Sequence, residues 1–144
     1  MNQQILPAVA AAIFNEQGEI LLQKRKDVNQ WGLISGHVEF GETVEAALLR
    51  EIEEETNATA RIIRFIGVYS APASQTYYYN NRTVQYITSY FEAQLTGELL
   101  SGFSNNETQE LQFFSTTALP DNLALLHPHW LSDALNKQQT VFIR

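Results

Sequence analysis

Apolar positions along the chain recur with two different periods, and each period predicts its own kind of element. Between residues 44 and 56 apolar side chains return every three or four positions, which predicts an amphipathic helix. Short apolar or alternating runs predict strands over 6–14, 19–25, 61–70, 83–93 and 110–115, and a short extended segment over 31–38. A second helix is predicted over 128–135. This order of elements indicates an α/β fold with a mixed sheet between helices.

Turn-forming residues set the predicted boundaries between these elements. Residues 15–18 read Asn-Glu-Gln-Gly, a turn signal that predicts a hairpin between the first two strands. The segment 72–82, rich in Tyr and Asn, is predicted to be a long loop. Thr43 is the predicted N-cap of the central helix, and Asn57 its left-handed end residue, a conformation that Gly adopts best and Asn next. The apolar face of this helix is predicted to contain Val44, Leu48, Leu49 and Ile52.

Composition and charge narrow the classes of protein to which the chain can belong. Its 144 residues suit one domain with a real core. No apolar run approaches the roughly 20 residues of a membrane span, and the first four residues lack the basic region of a signal peptide. The absence of cysteine excludes disulfides and is typical of a reducing cytoplasm. A net charge of −7 argues against binding to nucleic-acid polymers or membrane surfaces.

Acidic residues concentrate before and within the central helix. Six of the sixteen acidic residues lie between positions 42 and 55. Glu51, Glu54 and Glu55 have the spacing i, i+3 and i+4, which places their side chains on one face of a helix. Three carboxylates on one face repel each other unless a cation neutralises them, and hard oxygen ligands suit Mg2+ or Mn2+. The helix and the glycine-flanked loop before it therefore form a candidate site for metal and phosphate.

The segment from Gly36 to Ala58 resembles the Nudix box, whose pattern is G-x5-E-x7-R-E-U-x-E-E-x-G-U, with U an aliphatic residue. The charged positions of the pattern are filled by Glu42, Arg50, Glu51, Glu54 and Glu55. The chain departs from the pattern at Asn57, where the family has Gly, and at Ala58, where it has a larger aliphatic residue. Just upstream, Ser35 stands where relatives commonly have Gly, and it would be strained if the backbone there had a positive φ.

This resemblance implies a fold, a domain boundary and a set of site residues. The whole chain, 1–144, is expected to be a single Nudix hydrolase domain with the α/β/α sandwich fold. The cofactor is expected to be Mg2+ or Mn2+, held by the backbone carbonyl of Gly36 and the side chains of Glu51, Glu54 and Glu55. Glu51, Glu54 and Arg50 are expected to be catalytic: Arg50 would orient a glutamate, and Glu51 would act as a ligand, a general base or both. Glu42 is expected to brace the loop through Arg50.

Outside the box, the resemblance points to residues that meet the substrate. Relatives often have a further catalytic carboxylate on a loop after the central strands, and Glu107 is the favoured candidate, with Glu110 and Glu98 as alternatives. Arg25, at the end of the second strand, and Tyr77, which could stack on a base or pack against its own strands, are candidates for binding the nucleotide. Glu39, a second loop carboxylate that lies within the box, is also counted as a candidate for binding the nucleotide, without a specific role.

The expected reaction is Mg2+-dependent hydrolysis of the pyrophosphate linkage in a nucleoside diphosphate derivative. A nucleoside triphosphate, ordinary or oxidised, is the favoured substrate, and ADP-ribose or another sugar nucleotide is the alternative. A non-catalytic nucleotide sensor of the same fold is a third interpretation, disfavoured because every carboxylate of the box is kept. The expected partner is a small nucleotide, with neither nucleic-acid polymer nor membrane, in the cytoplasm. A homodimer is left open.

Overall fold

The computed structural model describes residues 2–100, 102–138 and 140–144, which form two sheets and three helices. The strands are β1 (Asn2–Ile13), β2 (Ile20–Arg25), β3 (Trp31–Gly32), β4 (Ile34–His37), β5 (Ala60–Tyr69), β6 (Thr76–Tyr78), β7 (Arg82–Leu95), β8 (Thr108–Phe114) and β9 (Phe142–Ile143). The helices are α1 (Val44–Thr56), α2 (Pro72–Gln75) and α3 (Trp130–Leu135). Among these residues, no helix is long and apolar enough to cross a membrane.

The larger sheet has the strand order β4-β1-β7-β5-β9, and β6 adds to β7. Strand β1 runs parallel to β7 along its whole length, from Asn2 opposite Arg82 to Ile13 opposite Ala93. Because β9 is also parallel to β5 and the remaining pairs are antiparallel, this sheet is mixed. The smaller sheet, β3-β2-β8, is antiparallel.

Helices cover the two faces of the larger sheet. Successive side chains of a strand point to opposite faces, and small apolar residues let β1 pack closely on both. Val9, Ala11 and Ile13 pack with Leu48 and Ile52 of α1. Ala10 and Ala12 join the cluster that contains Trp130 and Ala134 of α3. The predicted arrangement, a mixed sheet between helices, is confirmed.

The predicted hairpin between the first two strands is wrong. The turn itself forms, because the side chain of Asn15 accepts hydrogen bonds from the backbone N–H groups of Gln17 and Glu19. However, β1 is already flanked by β7 on one side and by β4 over residues 8–11 on the other. Strand β2 therefore enters the smaller sheet, and within the described residues its pairing with the end of the first strand is limited to the isolated Phe14–Ile20 bridge.

The segment 72–82, predicted as a long loop, contains α2 and β6. Pro72 lies in the first turn of α2, where a missing N–H costs nothing. Tyr77 then pairs with Val84, so the tyrosines belong to a short antiparallel ribbon. Strand β1 also begins earlier than predicted, because the polar residues 2–5 are held by backbone pairing with β7. The predicted C-terminal helix is present, but shorter.

The ends of α1 lie where the sequence predicts them. Thr43 is the N-cap, and its hydroxyl accepts a hydrogen bond from the N–H of Ala46 at 3.0 Å. Asn57 ends the helix with φ 57° and ψ 27°, the predicted left-handed conformation. Of the predicted apolar face, Leu48 and Ile52 are buried, whereas Val44 and Leu49 are more than a third exposed. Ser35 lies in β4 without a positive φ, so the strain considered for it is absent.

Candidate active site

Arg50 is the centre of the charged network between α1 and the loop before it. Its guanidinium contacts both oxygens of Glu42, at 2.7 and 3.0 Å, in a bidentate pair. A further N–H donates to the backbone carbonyl of His37 at 2.9 Å, and Nη1 contacts Glu51 at 2.9 Å and Glu54 at 3.1 Å. Hydrogen bonding to Arg50 lowers the pKa of Glu42 below its usual range. The arginine thus ties the loop to the acidic face of α1.

The loop itself is closed by Glu42 and Glu39. The N–H of Glu39 donates to the Glu42 carboxylate at 2.9 Å, and the N–H of Glu42 donates to the Glu39 carbonyl at 3.0 Å. The Glu39 carboxylate is two-thirds exposed and lies 3.9 Å from Arg50, so its contact with the network is weak. Glu42 therefore organises this loop through its side chain, whereas Glu39 does so mainly through its backbone.

Gly36, in β4, lies directly against the carboxylate of Glu51. A Cβ added at Gly36 would be 2.1 Å from Cδ of Glu51 and 2.3 Å from each of its oxygens. Glycine is needed here for this close approach, since its φ is not positive. Packed in this way, the side chain of Glu51 is only 12% exposed. Burial raises the pKa of Glu51, although Arg50 opposes the shift.

Glu55 is a carboxylate buried at the C-terminal end of α1. The residue is 1% exposed, and within the described residues neither of its carboxylate oxygens has a hydrogen-bond partner. Burial, followed by repulsion from Glu51, raises the pKa of Glu55 to about 9. A bound cation would stabilise such an arrangement, and oxygen donors of this kind fit Mg2+ or Mn2+. The residues present therefore fit the expected metal.

Glu54 shares this side of α1 but points towards Arg50 and solvent, with 59% of its side chain exposed. No three acidic or histidine side chains of the described chain converge closely enough to hold a metal ion as they stand. The structure therefore brings Glu51 and Glu55 together, whereas Glu54 would have to turn from Arg50 to join them.

Glu107 faces the end of α1 across a small cavity. The cavity has a volume of about 280 Å3 and is lined by Glu54, Asn105, Asn106 and Glu107. Of the alternatives, Glu110 lies within β8 opposite Lys24, and Glu98 is exposed after the end of β7. The cavity thus brings Glu107 next to Glu54, and neither Glu110 nor Glu98 lines it.

Arg25, at the end of β2, and Tyr77, in β6, belong to elements outside the charged network around Arg50. The Arg25 guanidinium contacts the Asp27 carboxylate at 3.3 Å. Burial alone would lower the pKa of Arg25, but this contact and the charges of Glu55 and Glu107 raise it overall. Burial raises the pKa of Tyr77, and the neighbouring Tyr79 adds to this shift. Tyr77 is also within electrostatic range of Arg25. Arg25 therefore lies near the carboxylates of Glu55 and Glu107, and Tyr77 lies near Arg25.

Comparison with known proteins agrees with this geometry. The NUDIX domain model matches residues 5–134, which include all of the elements that build the site: β2, β4, α1, β6 and the loop before β8. The chain belongs to the NUDIX domain family. The expectation from residues 36–58 is therefore confirmed at the level of the family, and the charged network around Arg50 is the Nudix box of this chain.

Two curated relatives carry different names. A putative 8-oxo-dGTP diphosphatase of Bacillus subtilis (strain 168) is 49% identical over 63 residues, which are 44% of this chain and 42% of that protein. An ADP-ribose pyrophosphatase of Methanocaldococcus jannaschii is 34% identical over 131 residues, 88% of this chain and 72% of that protein. The match thus spans less than half of the Bacillus relative and most of the Methanocaldococcus one.

Solved structures share the fold. The structure of a UDP-X diphosphatase superposes with a TM-score of 0.76 at 25% identity, covering 95% of this chain and 66% of the other. An ADP-ribose pyrophosphatase from Streptococcus suis superposes with a TM-score of 0.75 at 22% identity, covering 94% of this chain and 96% of the other. These likenesses establish the Nudix fold across nearly the whole chain.

Three polar residues at the Nudix site were not predicted as part of it. Gln23 and Thr108 are fully buried beside Glu55, and Asn105 lies in the loop before β8. The signals were present in the sequence: an amide in an apolar strand, and an Asn three residues before a Thr, a local turn pattern. Neither signal indicates by itself that the side chains meet a helix end.

Proposed function

We propose that this chain hydrolyses the pyrophosphate linkage of a nucleoside diphosphate derivative with the help of a divalent metal ion. The observation that carries the proposal is the buried, unpaired carboxylate of Glu55 beside Glu51. A buried carboxylate of this kind costs stability unless a cation compensates it, so its presence argues for a functional role. Family membership supports the reaction class, because Nudix hydrolases in general use divalent metal ions.

The proposed metal ligands are Glu51, Glu54, Glu55 and the backbone carbonyl of Gly36. A metal bound there would neutralise phosphate oxygens and lower the pKa of the attacking water. Arg50 keeps Glu51 in place through its 2.9 Å hydrogen bond, with Glu42 fixing the guanidinium from the other side. Glu107 faces this group across the cavity, where it can accept a proton from water or contribute a further oxygen ligand.

The rest of the nucleotide is proposed to lie along Arg25 and Tyr77. The guanidinium can pair with a phosphate, and the tyrosine ring can contact a base or ribose. A nucleoside triphosphate, ordinary or oxidised, is the favoured substrate, supported by the 49% identity to the putative 8-oxo-dGTP diphosphatase. The longer match to an ADP-ribose pyrophosphatase, over 88% of this chain, keeps a sugar nucleotide as the second candidate.

The test is a substrate panel with a matched pair of variants. The protein is incubated with Mg2+ and, separately, with ordinary and oxidised nucleoside triphosphates, ADP-ribose, other sugar nucleotides and diadenosine polyphosphates, and the products are resolved by chromatography. Glu54→Gln should lose at least about a hundredfold in kcat, the range for groups that stabilise transition-state charge. Glu53→Gln, the neighbouring exposed glutamate of α1, should retain activity.

Selective turnover of one class, lost in Glu54→Gln and kept in Glu53→Gln, would establish both reaction and substrate class. No turnover of any panel member by folded protein, with either Mg2+ or Mn2+, would reject the proposal for these substrates and favour a nucleotide sensor. Equal turnover by both variants would reject the assigned role of Glu54 alone.

A further inference from the structure

The C-terminal end of α1 is joined to the loop before β8 by side chains that the proposed chemistry does not use. The Asn105 amide donates to the backbone carbonyl of Glu54 at 2.8 Å. The Thr108 hydroxyl donates to the backbone carbonyl of Glu55 at 3.1 Å. Carbonyls in the last turn of a helix have no N–H partner within the helix. The loop therefore supplies partners to the backbone of two residues that carry the proposed metal ligands.

Asn105 also fixes the backbone of the loop itself. Its side-chain oxygen accepts hydrogen bonds from the N–H of Glu107 at 2.9 Å and from the N–H of Thr108 at 2.7 Å. The backbone N–H of Asn105 in turn donates to the Thr108 carbonyl at 2.9 Å. One amide thus holds Glu107 with its oxygen and Glu54 with its nitrogen. Moving the loop away from α1 would therefore break the hydrogen bond between the Asn105 amide and the Glu54 carbonyl.

Gln23 anchors the same assembly to β2. Its amide nitrogen donates to the Thr108 hydroxyl at 2.6 Å, and both residues are fully buried. The amide also lies close enough to the Glu55 side chain to lower the pKa of that carboxyl, against the larger effect of burial. Glu55 is therefore flanked by the same group of residues at its side chain and at its backbone carbonyl.

We propose that Gln23, Asn105 and Thr108 are positioning residues that set the distance between Glu107 and the carboxylates of α1. We call these three the clasp. The proposal rests on the proposed function, because it concerns the same metal site. Glu107 lies on a loop, and loops move more than the elements that they connect. A displacement of about 1 Å at a catalytic group can cost about a hundredfold in rate, so a loop that supplies one needs such anchors.

Thr108 provides the sharpest test, because two substitutions separate its hydroxyl from its shape. Thr108→Val removes both hydrogen bonds and keeps the volume, and we expect kcat to fall about 10- to 100-fold with KM within about threefold. Mn2+ affinity, measured by electron paramagnetic resonance on the substrate-free protein, should weaken about 3- to 10-fold. Thr108→Ser keeps the hydroxyl and should restore both quantities to within about threefold of wild type.

A matched control lies elsewhere in the chain. Gln75 donates to the Thr88 hydroxyl at 2.6 Å, the same Gln–Thr hydrogen bond on β7. Thr88→Val should lower the melting temperature but leave Mn2+ affinity unchanged, because this hydrogen bond joins α2 to β7 rather than the Glu107 loop to α1. If Thr88→Val and Thr108→Val weaken Mn2+ binding equally, the effect is general destabilisation and the clasp is rejected.

A second variant keeps the proposal testable if Thr108→Val does not fold. Asn105→Asp keeps the oxygen that accepts from Glu107 and Thr108 but can no longer donate to the Glu54 carbonyl. We expect it to fold, to keep the Glu107 amide protected from hydrogen exchange and to bind Mn2+ more weakly than wild type. Asn105→Ala should lose that protection as well. Unchanged Mn2+ affinity in both Asn105 variants would overturn the proposal.

These measurements also separate the clasp from the proposed function. If wild-type protein binds Mn2+ but hydrolyses no nucleotide in the panel, the hydrolase proposal fails, and the Mn2+ and hydrogen-exchange results still decide the clasp. If wild-type protein is active and the folded Thr108 and Asn105 variants match it in kcat and Mn2+ affinity, the clasp fails alone.

Discussion

Position 36 requires glycine because the Glu51 side chain packs against it, not because of its backbone angle. A Cβ there would lie 2.1 Å from Cδ of Glu51, a distance at which one group has to move. We expect Gly36→Ala to displace Glu51 from Arg50, to lower kcat at least tenfold, and to cost about 1–3 kcal/mol of stability through overpacking. Steady-state kinetics and thermal unfolding of the same preparation measure the two effects.

Gly97→Ala is the matched control, since a Cβ at Gly97 meets nothing within 4 Å and its φ is not positive. That variant should keep both activity and stability. Wild-type kinetics in Gly36→Ala would show that Glu51 tolerates displacement, and that close packing against this carboxylate does not require a glycine.

The charged residues of the site could be predicted from the sequence, whereas its neutral polar residues could not. The spacing of Glu51, Glu54 and Glu55 fixes their common side on any helix, because the helical period alone decides it. Gln23 and Asn105 act through groups that are 85 and 51 residues away in the chain, and no local period reports such a contact. The first hydrogen bond depends on the pairing of β2 with β8, and the second on the packing of the loop before β8 against α1.

The C-terminal end of α1 carries the main departure from the Nudix pattern, and its effect is one of stability. Asn57 adopts φ 57°, where Gly is less strained than any residue with a Cβ. We expect Asn57→Gly to raise the unfolding free energy by a few tenths to about 1 kcal/mol, and Asn57→Ala to lower it by about 1 kcal/mol. Denaturant unfolding measures both, and a destabilising Asn57→Gly would contradict the argument.

Helix α3 is held to the larger sheet by a buried carboxylate. Asp133 is 2% exposed, accepts a hydrogen bond from Tyr69 and pairs with Arg144 at 2.8 and 2.9 Å. Although burial alone would raise it, these partners lower the pKa of Asp133. A lowered pKa in the folded state stabilises the fold above the unfolded pKa of about 4, and the contribution is lost as pH falls through the folded value.

Asp133→Asn should therefore lower the unfolding free energy at pH 7 by about 1.5–3 kcal/mol, the usual contribution of hydrogen bonds to a charged group. The difference from wild type should shrink as pH is lowered below about 4. Urea unfolding at a series of pH values measures this, with Asp121→Asn, an exposed aspartate, as control. A difference that stays constant down to the most acidic conditions would mean that the charge of Asp133 contributes nothing.

The elements with a strong hydrophobic period could be predicted from the sequence, whereas the pairing of strands within the sheets could not. The 3.6-residue period of α1 and the cap at Thr43 were sufficient to place that helix. The hairpin prediction failed because a turn reports only a change of direction, while the partner of β2 depends on which edges of β1 are free. The ribbon at Tyr77 was missed because residues 76–82 read Thr-Tyr-Tyr-Tyr-Asn-Asn-Arg, in which apolar and polar positions do not alternate.

The site as a whole draws on both sheets, and this explains why Glu55 is buried. Strand β4 and helix α1 contribute Gly36 and the glutamates, while β2 and the loop before β8 contribute Gln23 and Glu107. The packing of both sheets against α1 excludes water from Glu55. Exclusion of water strengthens the interaction of this carboxylate with a bound cation. Without a cation, its oxygens have no hydrogen-bond partner among the described residues. Folding without metal therefore works against a cost that binding removes.

The energetic cost of burying the Glu55 carboxylate predicts that removing its charge will raise the stability of the metal-free protein and abolish metal binding. Glu55→Gln keeps the shape of the side chain, removes the acid, and introduces an N–H that can donate to the unpaired side-chain oxygen of Gln23. We expect the metal-free variant to be about 1–3 kcal/mol more stable than wild type, because a buried carboxylate is costly whether it stays charged or has to take up a proton. Differential scanning calorimetry with a chelator measures this difference.

The same variant should no longer gain stability from Mg2+. Wild-type protein should gain RT ln(1 + [Mg2+]/Kd), about 2.7 kcal/mol at a hundredfold excess over Kd, because the folded state alone holds the site. Glu53→Gln, exposed on the same helix, should behave as wild type in both conditions. If metal-free Glu55→Gln is less stable than wild type, the buried carboxylate is a structural partner rather than a site kept for a cation.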